Sequence, residues 1–82
     1  MQITEQNAKA YVANYFAKAE YETPVTCDIL YTEPCADTVD ESENHKAIDV
    51  FFRLSDCPKH VNRFTVWIER YPNVAPFIYG EW

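Results

Sequence analysis

Residues 4–19 read TEQNAKAYVANYFAKA, and this stretch decides the fold because it specifies one amphipathic helix. Its apolar residues recur at i, i+3, i+4, i+7, i+8 and i+11, the spacing of a single helix face. They are Ala8, Tyr11, Val12, Tyr15, Phe16 and Ala19. Thr4 is a good N-cap, and Thr23-Pro24 disfavours further helix because the residue before proline avoids the α region. We therefore predict a helix over residues 4–21.

Four strand-like segments follow this helix. Residues 25–32, 47–54 and 63–70 alternate apolar and polar side chains, and residues 77–82 form a shorter last strand. The connections are residues 33–46, a turn region at 55–62 and a turn at 71–76. Consecutive strands with short links favour an antiparallel meander, and the helix would cover one face of it. We predict an α+β fold of order α-β-β-β-β, in one domain spanning residues 1–82.

The two faces of this sheet should differ in polarity. Alternation in the first strand places one set of side chains toward the helix: Val25, Cys27, Ile29 and Tyr31. The face away from the helix should be polar, yet Leu30, Phe51 and Trp67 fall on it. One of Phe77 or Ile78, and one of Tyr79 or Trp82, must join them. Exposed aromatic surface of this kind marks an interface.

The charge is concentrated in one segment. The formal net charge is −6, which argues against a direct nucleic-acid binder because such proteins present a basic face. No Lys or Arg lies between Lys18 and Lys46, and that interval carries eight acidic residues. Five of them lie in or beside the long connection: Glu33, Asp37, Asp40, Glu41 and Glu43. Spaced carboxylates can occupy Arg and Lys sites that otherwise hold phosphates.

Cysteine and histidine offer one candidate metal set. Cys27, Cys35, Cys57 and His60 could in principle form a Cys₃His zinc site. A structural zinc site normally shows two closely spaced ligand pairs, and only the last two residues are close in sequence. We therefore predict no metal and no cofactor, with the cysteines as reduced thiols. An odd number of cysteines favours a reducing compartment, so we expect a cytoplasmic protein. The chain also lacks an apolar run of membrane-spanning length.

Catalytic motifs are not visible. Cys57 and His60 could form an activated thiol pair, but the sequence implies no orienting group or oxyanion donor. The single glycine excludes glycine-rich phosphate loops. Arg53, Lys59 and Arg63 accompany Phe51 and Trp67, which could stack single-stranded bases, yet the overall charge opposes this reading. We therefore expect a protein that is not an enzyme.

In its size, acidity and lack of catalytic motifs, the chain resembles the small inhibitors that phages and plasmids use, such as anti-CRISPR and anti-restriction proteins. The resemblance implies an inhibitor of a nucleic-acid-handling protein, which could act as a nucleic-acid mimic in the host cytoplasm. The expected partner-binding residues are Glu33, Asp37, Asp40, Glu41, Glu43, Phe51, Trp67, Tyr79 and Trp82. Two alternatives remain open: a homo-oligomeric structural domain that buries the aromatic face in a dimer, and a toxin-neutralising immunity protein.

Overall fold

A computed structural model describes residues 3–18, 25–35 and 47–82 of the chain. Helix α1 spans Glu5–Lys18 and is followed by strands β1 (Cys27–Pro34), β2 (Ala47–Leu54), β3 (Cys57–Glu69) and β4 (Phe77–Glu81). All neighbouring strands pair antiparallel, and their order in the sheet is β1-β2-β3-β4. The helix packs on one face of this meander. The predicted α-β-β-β-β architecture is therefore confirmed.

The start of α1 follows from its capping residues. The backbone N–H of Asn7 donates to Thr4 Oγ1 at 3.1 Å, which satisfies one of the donors that a helix N-terminus leaves without an intrahelical partner. Ile3 before the cap and Ala8 four positions after it are both buried in the core, as in a hydrophobic staple. The predicted N-cap is thus confirmed. The predicted end of the helix at residue 21 lies outside the described residues.

The core lies between α1 and the sheet and is centred on Phe64, which is fully buried. Three rings of the helix surround it, with centroids 5.1 to 6.4 Å from that of Phe64; they belong to Tyr11, Tyr15 and Phe16. Edge-to-face contacts at these separations add to the stabilisation from burial. The buried cluster comprises Ile3, Ala8, Val12, Phe16, Val50, Phe52, Leu54, Phe64 and Val66. Each element except β1 and β4 therefore contributes fully buried side chains.

Gly80 allows β4 to pass beneath the helix. A Cβ atom built on Gly80 would lie 2.6 Å from Cε1 of Phe64 and 2.9 Å from Cε1 of Tyr11. It would also lie 3.0 Å from the backbone oxygen of Thr65. Since these separations are shorter than van der Waals contact, no larger residue fits here without moving an aromatic ring. The only glycine of the chain is thus required by packing rather than by a turn.

A β-bulge corrects the predicted faces of β1. The pairing with β2 shifts between Ile29 and Tyr31, so that Leu30 is the extra residue. A shift by one residue exchanges the faces of all the side chains that follow. Tyr31 therefore lies opposite Phe51, on the face away from the helix, and its predicted place among the core-facing residues was wrong. Thr32 takes the helix-facing position opposite Val50.

Two strands extend beyond their predicted boundaries, both near prolines. Strand β1 continues to Pro34, and the backbone N–H of Cys35 still donates to the carbonyl oxygen of Ala47 at 3.1 Å. Strand β3 begins at Cys57 rather than at residue 63, because Ser55 and Asp56 alone form the turn. Proline is tolerated in a strand where no ladder hydrogen bond requires its missing N–H. Strand β4 pairs only with residues 65–69, which leaves Pro58 beyond its reach.

Candidate partner-binding face

We use the term open face for the side of the sheet opposite α1. Strand register and alternation place the following residues on it: Asp28, Tyr31, Glu33, Ala47, Asp49, Phe51, Arg53, Arg63, Thr65, Trp67, Glu69, Phe77, Tyr79 and Glu81. The prediction that Phe51 and Trp67 lie on this face agrees with the register. The sequence left two choices open in the last strand. Phe77 rather than Ile78, and Tyr79 rather than Trp82, lie on the open face.

A row of acidic positions crosses all four strands of the open face. Glu33 lies opposite Asp49, Asp49 opposite Thr65, and Thr65 opposite Glu81. We call these four residues the acidic row. Three strand spacings separate its ends, or about 14 Å. The row therefore holds three carboxylates at a spacing fixed by the backbone of the sheet, and those of Glu33 and Glu81 are exposed.

Asp49 at the centre of the acidic row is held by a hydrogen bond. Thr65 Oγ1 donates to Asp49 Oδ1 at 2.6 Å, and Asp49 is only 9% exposed. A bond from a hydroxyl to a carboxylate at this length is of the strong, charge-assisted kind. The hydroxyl fixes one oxygen of the carboxylate, so the side chain is held in place while its neighbours cover most of it.

Aromatic pairs flank the acidic row on both sides along the strands. On one side the rings of Tyr31 and Phe51 stack, with centroids 4.6 Å apart and planes inclined by 15°. On the other side Trp67 and Tyr79 lie opposite each other, in an edge-to-face arrangement with centroids 5.5 Å apart. Tyr31 and Tyr79 are 48% and 43% exposed. The open face therefore combines accessible aromatic surface with carboxylates.

Glu69 connects the rings at the far end of the open face. The indole Nε1–H of Trp67 donates to Glu69 Oε1 at 2.7 Å, and the phenol of Tyr71 lies near the same carboxylate. The negative charge of Glu69 raises the pKa of Tyr71 above its ordinary value. Tyr71 in turn contacts Phe77, with ring centroids 6.0 Å apart. We call Trp67, Tyr71, Phe77 and Tyr79 the aromatic patch; Glu69 lies among them.

A turn after β3 brings Tyr71 to the aromatic patch. The backbone N–H of Val74 donates to the carbonyl oxygen of Tyr71 at 3.3 Å, and Asn73 has a positive φ of 66°. Proline at the second position with a left-handed residue at the third is the signature of a type II turn. Pro72 and Asn73 supply those two residues, since Asn tolerates the left-handed region better than most side chains. The turn therefore follows from local sequence chemistry.

One of the predicted partner-binding residues, Trp82, lies apart from this surface. Trp82 is on the helix side of the sheet, with its ring 5.1 Å from that of Phe16 and 5.9 Å from that of Phe52. It therefore cannot act together with Tyr79 as one anchor. Four of the predicted acidic residues lie outside the described residues: Asp37, Asp40, Glu41 and Glu43. Glu33 is on the open face, as a member of the acidic row.

Sequence reasoning missed other members of this surface. Asp49, Glu69 and Glu81 are on strands, where their alternation with apolar residues was visible, but the register that aligns them was not. Tyr31 was missed because the bulge at Leu30 has no signature in the sequence. A search for acidic positions on the same alternation phase in successive strands would have indicated the acidic row.

The candidate zinc ligands are far apart along the strands. Cys27 begins β1 and Cys35 follows its end, a separation of about 26 Å in extended chain. Cys57 and His60 both lie on β3, three residues apart, and among the described residues no group of three potential ligands is placed to hold a metal ion. Burial, followed by the charge of Asp28, raises the pKa of Cys27 above its ordinary value. The four residues therefore share no common site.

A groove of about 480 Å³ lies on the helix layer, away from the open face, and is lined by Tyr11, Asn14, Tyr15 and Lys18. Among the described helices, none has the length and apolar character needed to cross a membrane. Comparisons with known protein families, with curated proteins and with solved structures found no match for this chain.

Proposed function

We propose that this chain is a non-enzymatic protein-binding module that inhibits a nucleic-acid-handling protein. In this proposal the open face is the binding surface, and the partner presents a basic site. The acidic row would contact Arg and Lys side chains, while Tyr31, Phe51, Trp67 and Tyr79 would supply apolar contact area. The same physics would serve a toxin-neutralising immunity protein, which differs only in the partner.

The observation that carries the proposal is the charge pattern on one half of the open face. From the acidic row to the end of β3, the strand positions hold four carboxylates and no Lys or Arg: Glu33, Asp49, Glu69 and Glu81. Two exposed tyrosines border these carboxylates. Carboxylates beside accessible aromatic rings favour a basic protein surface, because charge complementarity steers association and aromatic side chains contribute most of the binding energy.

Direct binding of nucleic acid is less compatible with this arrangement. Phe51 and Arg63 lie opposite each other on one side of the acidic row, and Trp67 lies on the other side. A nucleic-acid strand that stacked on both Phe51 and Trp67 would cross the acidic row between Asp49 and Thr65, near the carboxylates of the row. Repulsion between these carboxylates and backbone phosphates opposes such a path.

A homodimer through the open face is the second candidate, because its interface would bury the exposed rings. In a twofold dimer the same patch meets itself. The acidic row would then approach the acidic row of the other copy, and the approach of like charges costs free energy. The heterologous partner therefore explains the charge pattern better than a second copy does.

The test is affinity capture from a nuclease-treated lysate of the source organism, with two variants of equal net charge. Glu33→Gln/Glu81→Gln changes the acidic row, whereas Glu5→Gln/Asp56→Asn changes exposed carboxylates elsewhere; each pair raises the net charge of −6 by two. We expect a nucleic-acid-handling protein that the wild type and the second pair retain equally. The first pair should retain at least about tenfold less, and added DNA or RNA should displace the partner.

Two results would contradict this proposal. Equal retention by both variant pairs would show that the open face is not the binding surface. A wild-type protein that is recovered alone, as a defined dimer, would favour the homo-oligomeric reading instead.

A further inference from the structure

The aromatic patch combines aromatic rings with a carboxylate, and this combination favours some partner groups over others. Its rings lie on adjacent strand positions and on the following turn, and three of them are at least 40% exposed: Tyr71, Phe77 and Tyr79. Glu69 lies opposite Phe77, accepts a hydrogen bond from Trp67 and lies near the phenol of Tyr71. The carboxylate is thus held among four rings by the hydrogen bond from Trp67.

An apolar partner group would be a poor occupant of the aromatic patch. It would bury Glu69 without a positive partner, and removing an unpaired charge from water costs far more than ring contact returns. A cation suits both components, because ring faces carry negative potential and Glu69 carries a full negative charge. The geometry therefore favours a positively charged group.

Among side-chain cations, the guanidinium of arginine fits this patch best. It is planar, weakly hydrated and stacks on aromatic rings, whereas the ammonium of lysine is a compact and strongly hydrated charge. An ionised carboxylate offers about four lone-pair sites, and Trp67 occupies one of those on Glu69. The remaining sites can accept further N–H groups from a guanidinium.

We propose that the aromatic patch binds an arginine side chain of the partner protein, which stacks on the exposed rings and donates hydrogen bonds to Glu69. This inference rests on the proposed function, since it names the anchoring contact within the same open face. It assigns the acidic row and the aromatic patch different roles. The row attracts a basic surface over about 14 Å, while the patch holds one particular residue.

The test uses ¹⁵N-labelled protein and three short capped peptides at constant ionic strength. The peptides are identical except for one central residue, which is arginine, lysine or citrulline; citrulline is a neutral analogue of nearly the same shape as arginine. The indole N–H resonance of Trp67 reports on the patch. That of Trp82, on the helix side, serves as an internal control.

We expect the arginine peptide to shift the Trp67 resonance saturably with millimolar affinity, without moving that of Trp82. Glu69→Gln should weaken this binding about tenfold, as expected for the loss of a hydrogen bond to a charged group. Tyr79→Leu should also weaken it, because a ring is lost. Asp56→Asn removes an exposed carboxylate in the turn between β2 and β3 and should leave the affinity unchanged. The spectrum of each variant first establishes that the fold is retained.

Three results would overturn the inference. They are no saturable shift with the arginine peptide, equal shifts with citrulline, or equal affinity for the lysine peptide. Failure here can be separated from failure of the proposed function. If a partner is captured through the acidic row but the arginine peptide does not bind the aromatic patch, only the arginine site is refuted. Arginine binding without any captured partner would refute only the inhibitor proposal.

Discussion

At the scale of single residues, Gly80 sets the distance between the helix and β4. An added methyl group would meet Phe64 and Tyr11 at separations well below van der Waals contact. Phe64 is itself surrounded by other rings, so it has little room to move. The close approach of α1 to the sheet therefore depends on one hydrogen atom in place of a side chain.

We predict that Gly80→Ala lowers the free energy of unfolding by about 1–3 kcal/mol, the usual cost of overpacking a core. Urea denaturation followed by circular dichroism measures the change. Glu81→Ala is the control, because Glu81 is the next residue of β4 and faces the opposite side; its effect should stay within about 0.5 kcal/mol. A Gly80→Ala protein as stable as this control would show that the ring of Tyr11 can move aside.

At the scale of elements, α1 depends on its N-terminal cap. Thr4 Oγ1 accepts a hydrogen bond from the backbone N–H of Asn7, and Glu5 forms an i,i+4 ion pair with Lys9 at 3.2 Å. The ion pair is exposed and contributes only a few tenths of a kcal/mol. The cap is the stronger of these two local contributions to the helix.

Replacing Thr4 tests this ranking. We expect Thr4→Ala to lower the free energy of unfolding by about 1 kcal/mol and Thr4→Ser to change it little, since serine retains the accepting oxygen. Thermal and urea unfolding of the two variants provide the comparison. Equal stability of both would show that the cap hydrogen bond makes no net contribution.

The elements were predictable from the sequence to different extents. Helix α1 and the order of strands followed from periodicity and from Thr4, because those signals are local. The bulge at Leu30 and the strand extension through Pro58 were not predictable, since both depend on which strand lies alongside. The same limit applies to the acidic row: its members were visible, but their alignment depends on a register that only the folded sheet defines.

At the scale of the whole molecule, the open face combines favourable and unfavourable charge pairs. Glu33 lies opposite Asp49, while Asp28, on the same strand, lies opposite Arg53. Like charges directly across a pair of strands destabilise the sheet, and opposite charges stabilise it. The acidic row therefore lowers the stability of a chain whose net charge is already −6, and the fold itself does not require the row.

Neutralising Glu33 and Asp28 one at a time separates the repulsive charge pair from the attractive one. We predict that Glu33→Gln raises the free energy of unfolding by roughly 0.2–1 kcal/mol and that Asp28→Asn lowers it by a similar amount. The gain from Glu33→Gln should shrink at high salt, because salt screens the repulsion that it removes. Both changes are measured by urea denaturation at low and high ionic strength. The same sign of effect in both variants would refute this account of the open face.

The two indoles of the chain report on opposite surfaces. Trp82 packs against Phe16 and Phe52 on the helix side, whereas Trp67 lies beside Tyr79 on the open face. Loss of the core changes the surroundings of Trp82, and occupation of the open face changes those of Trp67. The protein therefore carries two indole fluorophores on opposite surfaces. A pair of single-tryptophan proteins, Trp67→Phe and Trp82→Phe, would distinguish unfolding from binding by tryptophan emission alone, without an added dye.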